Sequence, residues 1–281
     1  MKLLRHGPVG AERPGLLHTD GTIRDLTGLV PDIGGAVISD TGLAMLRGID
    51  AGILPVVDPA TRLGPCVAGT GKFICIGLNY ADHAAESGMA VPPEPVIFMK
   101  ATSAICGPND PIIIPRGSEK TDWEVELAII IGKAAKYVSQ DEAMAHVAGY
   151  AVTNDVSERA FQTERSGQWT KGKSCDNFGQ IGPWLVTRDE VADPQDLKMW
   201  LKVNGKTMQD GSTRTMVYGV KYLVSYLSQF MTLHPGDVIS TGTPPGVGLG
   251  MKPPRYLKPG EVVELGIEGL GSQRQDVIAD H

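Results

Sequence analysis

Apolar residues in this chain fall into short runs separated by glycine, proline and charge. Phe73-Ile74-Cys75-Ile76-Gly77, Pro95 to Lys100, Pro111 to Pro115 and Ala128 to Ile131 read as buried strands, because a strand covered on both faces has no solvent side to alternate with. Ala148 to Asp155, Trp184 to Thr187, Asp237 into a glycine-rich loop, and the alternating Glu261 to Ile267 add further strands, and Asn204-Gly205 marks a hairpin turn. Short helices are expected over 40–49, over 79–88 with Asn79 as cap and Gly88 as terminator, over 141–146, from 158, and over 220–231. The pattern predicts an α+β, β-rich fold. Residues 1–68, with short segments and a proline-rich tail, are expected to form a small N-terminal domain, a lid or appendage, ahead of a main domain over 69–281.

The most informative stretch is Asp122-Trp123-Glu124-Val125-Glu126-Leu127, which runs straight into Ala128-Ile129-Ile130-Ile131. Side chains alternate along a strand, so Glu124 and Glu126 point the same way, about 7 Å apart. Two like charges beside a core repel and lose hydration, which is unfavourable unless a cation or a basic cluster neutralises them. A hard divalent ion does this and asks for a third oxygen from elsewhere. The plainer alternative is a solvated strand end whose acids pair with lysines.

Composition narrows the classes. The 281 residues carry a net charge of −6, with a pI near 5.5 and no basic run longer than a pair, so nucleic acid is not an expected partner. No window approaches the roughly eighteen apolar residues that span a bilayer, and the first twenty residues lack a signal-peptide block. A cytoplasmic protein without a membrane partner is expected. Cys66, Cys75, Cys106 and Cys175 are scattered without metal-knuckle spacing and are expected to be reduced. Cys175 has a nucleophilic reading and a packing reading, the latter being the commoner use.

Further candidates come from position. On a helix after the strand 73–77, His83 and Glu86 share a face, a pairing in which the carboxylate orients the ring and raises its basicity. The loop 241–248 lacks the Gly-Lys-Ser/Thr ending of a phosphate loop. Its backbone and the Thr241 and Thr243 hydroxyls suit a small carboxylate ligand or a structural turn. Asp155 ends a strand, and Lys173 lies in a basic loop.

In order, Asn79-Tyr80-x-x-His83-x-x-Glu86, Lys100, Glu124-x-Glu126, Asp155, Lys173 and Thr241-Gly242-Thr243-Pro244-x-Gly246-Val247-Gly248 resemble the fumarylacetoacetate hydrolase family over about residues 72–270. The resemblance implies a mixed β-sandwich roll, a homodimer, a divalent ion (Mg²⁺, with Mn²⁺ or Ca²⁺ as alternatives) on Glu124, Glu126 and Asp155, a His83–Glu86 dyad and a catalytic Lys173. Tyr80, Lys100, Arg159, Gln162, Thr241 and Thr243 are the expected substrate-binding residues. The implied reaction is hydrolytic carbon–carbon cleavage of a small keto acid, a 2,4-dioxo acid, to give pyruvate. The polar insert 159–170, with Glu164, Arg165 and Gln168, suggests a substrate of the 2,4-diketo-3-deoxy sugar acid type. Ureidoglycolate lyase, oxaloacetate decarboxylase and a non-catalytic ligand-binding module are the rivals.

Overall fold

The computed structural model describes residues 1–82 and 91–280. The strand after the acidic pair, β9 (Val125–Ile131), is buried at every position. Its residues feed two cores in turn: Val125, Leu127, Ile129 and Ile131 join one apolar cluster, while Ala128 and Ile130 join another. A strand with a core on each side needs apolar residues of both parities, which accounts for the unbroken run in the sequence.

Among the described residues a ten-stranded sheet runs in the order β3 (Ile23–Asp25), β2 (Arg13–Leu17), β1 (Lys2–His6), β12 (Gly179–Thr187), β10 (Val147–Asp155), β9, β15 (Val238–Ser240), β4 (Phe73–Gly77) and β5 (Val96–Lys100), with β6 (Ile105–Cys106) attached to β12. A five-stranded sheet has the order β14 (Lys206–Ser212), β13 (Lys198–Val203), β16 (Val262–Ile267), β17 (Gly271–Ala279), β7 (Ile112–Ile114). The two-stranded ladder of β8 (Thr121–Asp122) and β11 (Ser157–Glu158) sits beside the acidic stretch. The first core contains Leu201, Leu265 and Val277 of the smaller sheet, odd-numbered residues of β9, and Leu223, Val224 and Leu227 of the helix Val220–Ser228. This is the expected β-rich sandwich with mixed strand directions. Asn204 and Gly205, with φ of 50° and 76°, make the expected turn of the β13–β14 hairpin. No helix among the described residues is long and apolar enough to cross a membrane.

Residues 1–68 are joined to the rest in three ways. Strand β1 pairs antiparallel with β12, extending the large sheet. Leu3, Leu16, Leu26, Ile33, Ile38 and Leu43 pack in the second core with Phe73, Ala128, Ile130 and Val238. Arg62, held by Glu12 and Asp110, ties the segment down at its end. A fully buried aliphatic side chain contributes about 1.5–3 kcal/mol relative to exposure, so the six named here are together comparable with the roughly 5–15 kcal/mol by which domains are stable. A fragment beginning at residue 69 is therefore expected to be insoluble or to bind a hydrophobic dye and lose its near-ultraviolet circular dichroism. A fragment as stable as the whole chain would show that the two parts fold independently.

Candidate functional site: a buried carboxylate cluster beside a small cavity

Strand register assembles the acids. Thr153 of β10 lies opposite Glu126, and Asn154 opposite Val125, while the Asp155 N–H donates to the Glu124 carbonyl at 2.9 Å. Glu124 and Glu126 have the parity of Ala128 and Ile130, and Asp155 has that of Ala151, all on the side of the second core. One oxygen from each of Glu124, Glu126 and Asp155 lies within 4.8 Å of the others. Their exposures are 5%, 2% and 0%, which removes the solvated strand end as an explanation.

Three buried cations answer four buried carboxylates. Lys173 Nζ donates to Glu124 Oε2 at 2.6 Å and to Asp155 Oδ2 at 2.8 Å. Arg159 donates from Nε to Asp122 Oδ2 and from Nη2 to Glu124 Oε1, both at 2.8 Å, and from Nη1 to Gln162 Oε1 at 3.1 Å. Lys100 Nζ lies 2.6 Å from Asp155 Oδ1, but its aligned hydrogen bonds go to the carbonyls of Val156 and Lys173 at 2.9 and 2.7 Å. Asp155 Oδ1 is thus buried with an ion pair and no hydrogen bond.

The fourth acid, Glu126, has no ion pair among the described residues, and its surroundings favour the protonated form. Burial, and then the charges of Asp155 and Glu124, push the Glu126 carboxyl well above the ordinary carboxylate range. Its Oε2 accepts from the Ser240 hydroxyl and from the Gly242 N–H, the latter at 2.8 Å. Gly242 has φ +95°, and a Cβ there would come within 2.8 Å of the Asn79 Cβ, so this backbone donor requires glycine. Lys173 behaves oppositely: burial alone would favour the neutral amine, but Asp155 and Glu124 outweigh it and raise its pKa. The same balance, with Asp122 and Glu124, raises that of Arg159. An all-oxygen cluster whose carboxylate oxygens lie within 4.8 Å of one another, one of them buried without a hydrogen bond, fits a hard divalent ion. Glu124, Glu126 and Asp155 are the residues that would hold it.

The acids open on a cavity of about 190 Å³, whose lining includes Glu124, Glu126, Asp155, Arg159, Gln162, Lys173 and Thr243. The expected substrate contacts divide at this wall. Tyr80 is fully buried with its hydroxyl on Met199 Sδ, Lys100 stands behind Asp155, and the Thr241 hydroxyl donates to the Leu127 carbonyl. The polar atoms of these three are committed inside the protein, and none of the three lines the cavity. His83 and Glu86 lie outside the described residues. No residue of 1–68 lines the cavity. Burial pushes the Cys175 thiol up to about 11, which favours its packing reading over the nucleophilic one.

Two supports escaped sequence reasoning. Asp122 accepts from the N–H groups of Gly248 and Leu249 at 2.7 and 2.9 Å as well as from Arg159, clamping the glycine-rich loop to the acidic strand. Its place two residues before Glu124 was a usable signal. Gln209 accepts from the Val125 N–H and donates to Thr243 Oγ1 and the Pro244 carbonyl; a glutamine in a polar strand carries no such signal.

Comparison with known proteins agrees with this geometry. Residues 72–278 match the family described as fumarylacetoacetate (FAA) hydrolase C-terminal. A Burkholderia multivorans protein provisionally described as a hydrolase is 64% identical over 276 residues, covering 98% of each chain. Fumarylacetoacetate hydrolase from psychrophilic Exiguobacterium antarcticum is 38% identical with a TM-score of 0.86, covering 100% of both chains. Maleylpyruvate hydrolase from Sphingobium sp. SYK-6, solved with manganese(II) ion and pyruvate, is 32% identical with a TM-score of 0.82 and the same full coverage. With a family match over most of its length and relatives that align from end to end, this chain is an enzyme that belongs to the fumarylacetoacetate hydrolase family.

Proposed function

We propose that the protein is a divalent-metal-dependent hydrolase that cleaves a carbon–carbon bond of a 2,4-dioxo acid, releasing pyruvate and a second acid. The observation that carries this reading is the buried triad Glu124, Glu126 and Asp155 opening on a small cavity beside a lysine that stays charged. The manganese and pyruvate named with the Sphingobium enzyme support it. When bound, the ion supplies Lewis acidity toward the carboxylate and 2-oxo oxygens of such an acid.

The protein's own groups divide the remaining work. His83, oriented by Glu86, takes a proton from water, and the resulting hydroxide adds to the 4-oxo carbon. The C3–C4 bond then breaks, its electron pair passes into the pyruvate enolate, and C3 is protonated. Lys173 cannot act as a base while it is held as an ammonium between two carboxylates; it stabilises developing negative charge or delivers a proton. Arg159 fixes Glu124 from the other side. The sugar-acid version finds little support in the insert, where Glu164 pairs with Lys120 and Arg165 stacks over Phe161.

Purified protein with Mg²⁺ is expected to release pyruvate from acylpyruvates in a coupled assay, to stop in EDTA and to resume on adding Mg²⁺ or Mn²⁺. Turnover unchanged in EDTA would reject the metal's role. Carbon dioxide from oxaloacetate, or glyoxylate from ureidoglycolate, without acylpyruvate cleavage would replace the hydrolase by one of its rivals.

A further inference from the structure

Resting on that reading, we infer that the acyl end of the substrate is short and apolar, and that acids carrying a second carboxylate or a polyhydroxylated chain are disfavoured. The cavity, about 190 Å³, is smaller than the roughly 300 Å³ at which drug-sized sites begin. Beyond the charged cluster its wall is mostly apolar, with Ile76, Leu78, Phe98, Trp169, Val247 and Leu249 beside the polar Gln162, Thr163 and Thr243. This apolar wall begins next to the chemistry, for Lys173 Nζ lies 5.0 Å from the centroid of the Phe98 ring. Trp169 meets Phe98 edge to face at 5.3 Å. It also rests on Gly77, where a Cβ would come within 2.5 Å of the indole. Leu78 is held at φ +55°, a conformation leucine rarely adopts.

Charge decides against a dicarboxylate. Among the described residues the only cations lining the cavity are Arg159 and Lys173. Arg159 is spent on Asp122, Glu124 and Gln162, and Lys173 on Glu124 and Asp155. A distal carboxylate would be desolvated against apolar side chains with no counter-charge of its own. Hydroxyls fare little better. Glu164, Arg165 and Gln168 do not line the cavity, Thr163 Oγ1 already donates to the Arg159 carbonyl, and Thr243 Oγ1 donates to the Val125 carbonyl, so that the Gln162 amide, whose Oε1 accepts from Arg159, is a single polar partner for a chain of several hydroxyls.

Calorimetry on the Mg²⁺-loaded protein with two inert acids of equal carbon number, 2-oxohexanoate and 2-oxoadipate, tests the inference apart from turnover. The alkyl acid is expected to bind at least tenfold more tightly. Leu249→Lys, at a rim position 36% exposed whose backbone rather than side chain anchors to Asp122, is expected to shift that ratio at least tenfold toward 2-oxoadipate. In parallel, kcat/KM for butanoylpyruvate is expected to exceed that for fumarylpyruvate and for a diketo-deoxy sugar acid by tenfold or more. Tighter binding of 2-oxoadipate by the unaltered protein, or faster cleavage of the carboxylated or hydroxylated acids, would overturn the inference while leaving the hydrolase reading intact. The alkyl preference without cleavage of any acylpyruvate would sustain the inference and defeat the hydrolase reading.

Discussion

Glu126→Gln is expected to reduce pyruvate formation at least a hundredfold while leaving the metal-free protein folded. Loss of a preorganised charge at a reacting centre costs about 10²–10³ in kcat, and on the proposed reading the lost charge is also a metal ligand. The fold should tolerate the change because burial and the charges of Asp155 and Glu124 favour the protonated form of metal-free Glu126, and a glutamine oxygen can accept from Ser240 and Gly242 as Oε2 does. The pH dependence gives a second readout. A carboxyl whose folded pKa is raised binds its proton more tightly folded than unfolded, so its contribution to stability is present below the ordinary value of 4.5 and is lost as pH rises toward the folded value. Metal-free wild type should therefore lose stability across that interval, and the variant should lack this component. Denaturation curves at several pH values, with Mg²⁺ titrations of both proteins, check this. Wild-type turnover by the variant would remove Glu126 from the metal site.

Lys100→Met is expected to be the most damaging single change to stability. The side chain is buried and supports Asp155, the Val156 carbonyl and the Lys173 carbonyl together. Removing one partner of a buried ion pair typically costs about 3–5 kcal/mol because the other charge is stranded, and two carbonyls lose donors besides. For a chain of this size that corresponds to a fall in Tm of roughly 10 °C or more. Turnover should fall too, since Lys100 holds the backbone of Lys173. If the variant kept wild-type stability and only KM rose, Lys100 would be a substrate contact after all.

The pattern of residues foretold the strands best where burial is two-sided. Phe73–Gly77, Val125–Ile131 and Val147–Asp155 stand where continuous apolar runs put them. It was weakest where pairing is decided by distant partners. Nothing local in Lys2–His6 announces that it will add itself to Gly179–Thr187, and so residues 1–68 read as an appendage although they form one side of a core. The acids were legible for a local reason, since alternation alone puts Glu124 and Glu126 on one face. Gathering Asp155 to them needed the register of β10. The directions taken by Tyr80, Lys100 and Thr241 were not legible, because whether a polar side chain near a cavity faces it or turns inward depends on neighbours such as Met199 and Leu127 that come from elsewhere in the fold.

The two-core alternation of β9 binds catalytic chemistry and folding to a single reading frame. Sliding that strand by one residue against its neighbours would exchange the roles of the parities, sending both glutamates into the layer between the sheets and presenting Val125 and Leu127 where the two carboxylates stand. Such a slip forfeits both cores at once, so the misregistered state is disfavoured by the same contacts that make the native one stable. An alanine inserted within Val125–Ile131 should thus abolish folding and activity together, whereas insertions in the exposed turn at Asn204-Gly205 leave the frame of the acids untouched.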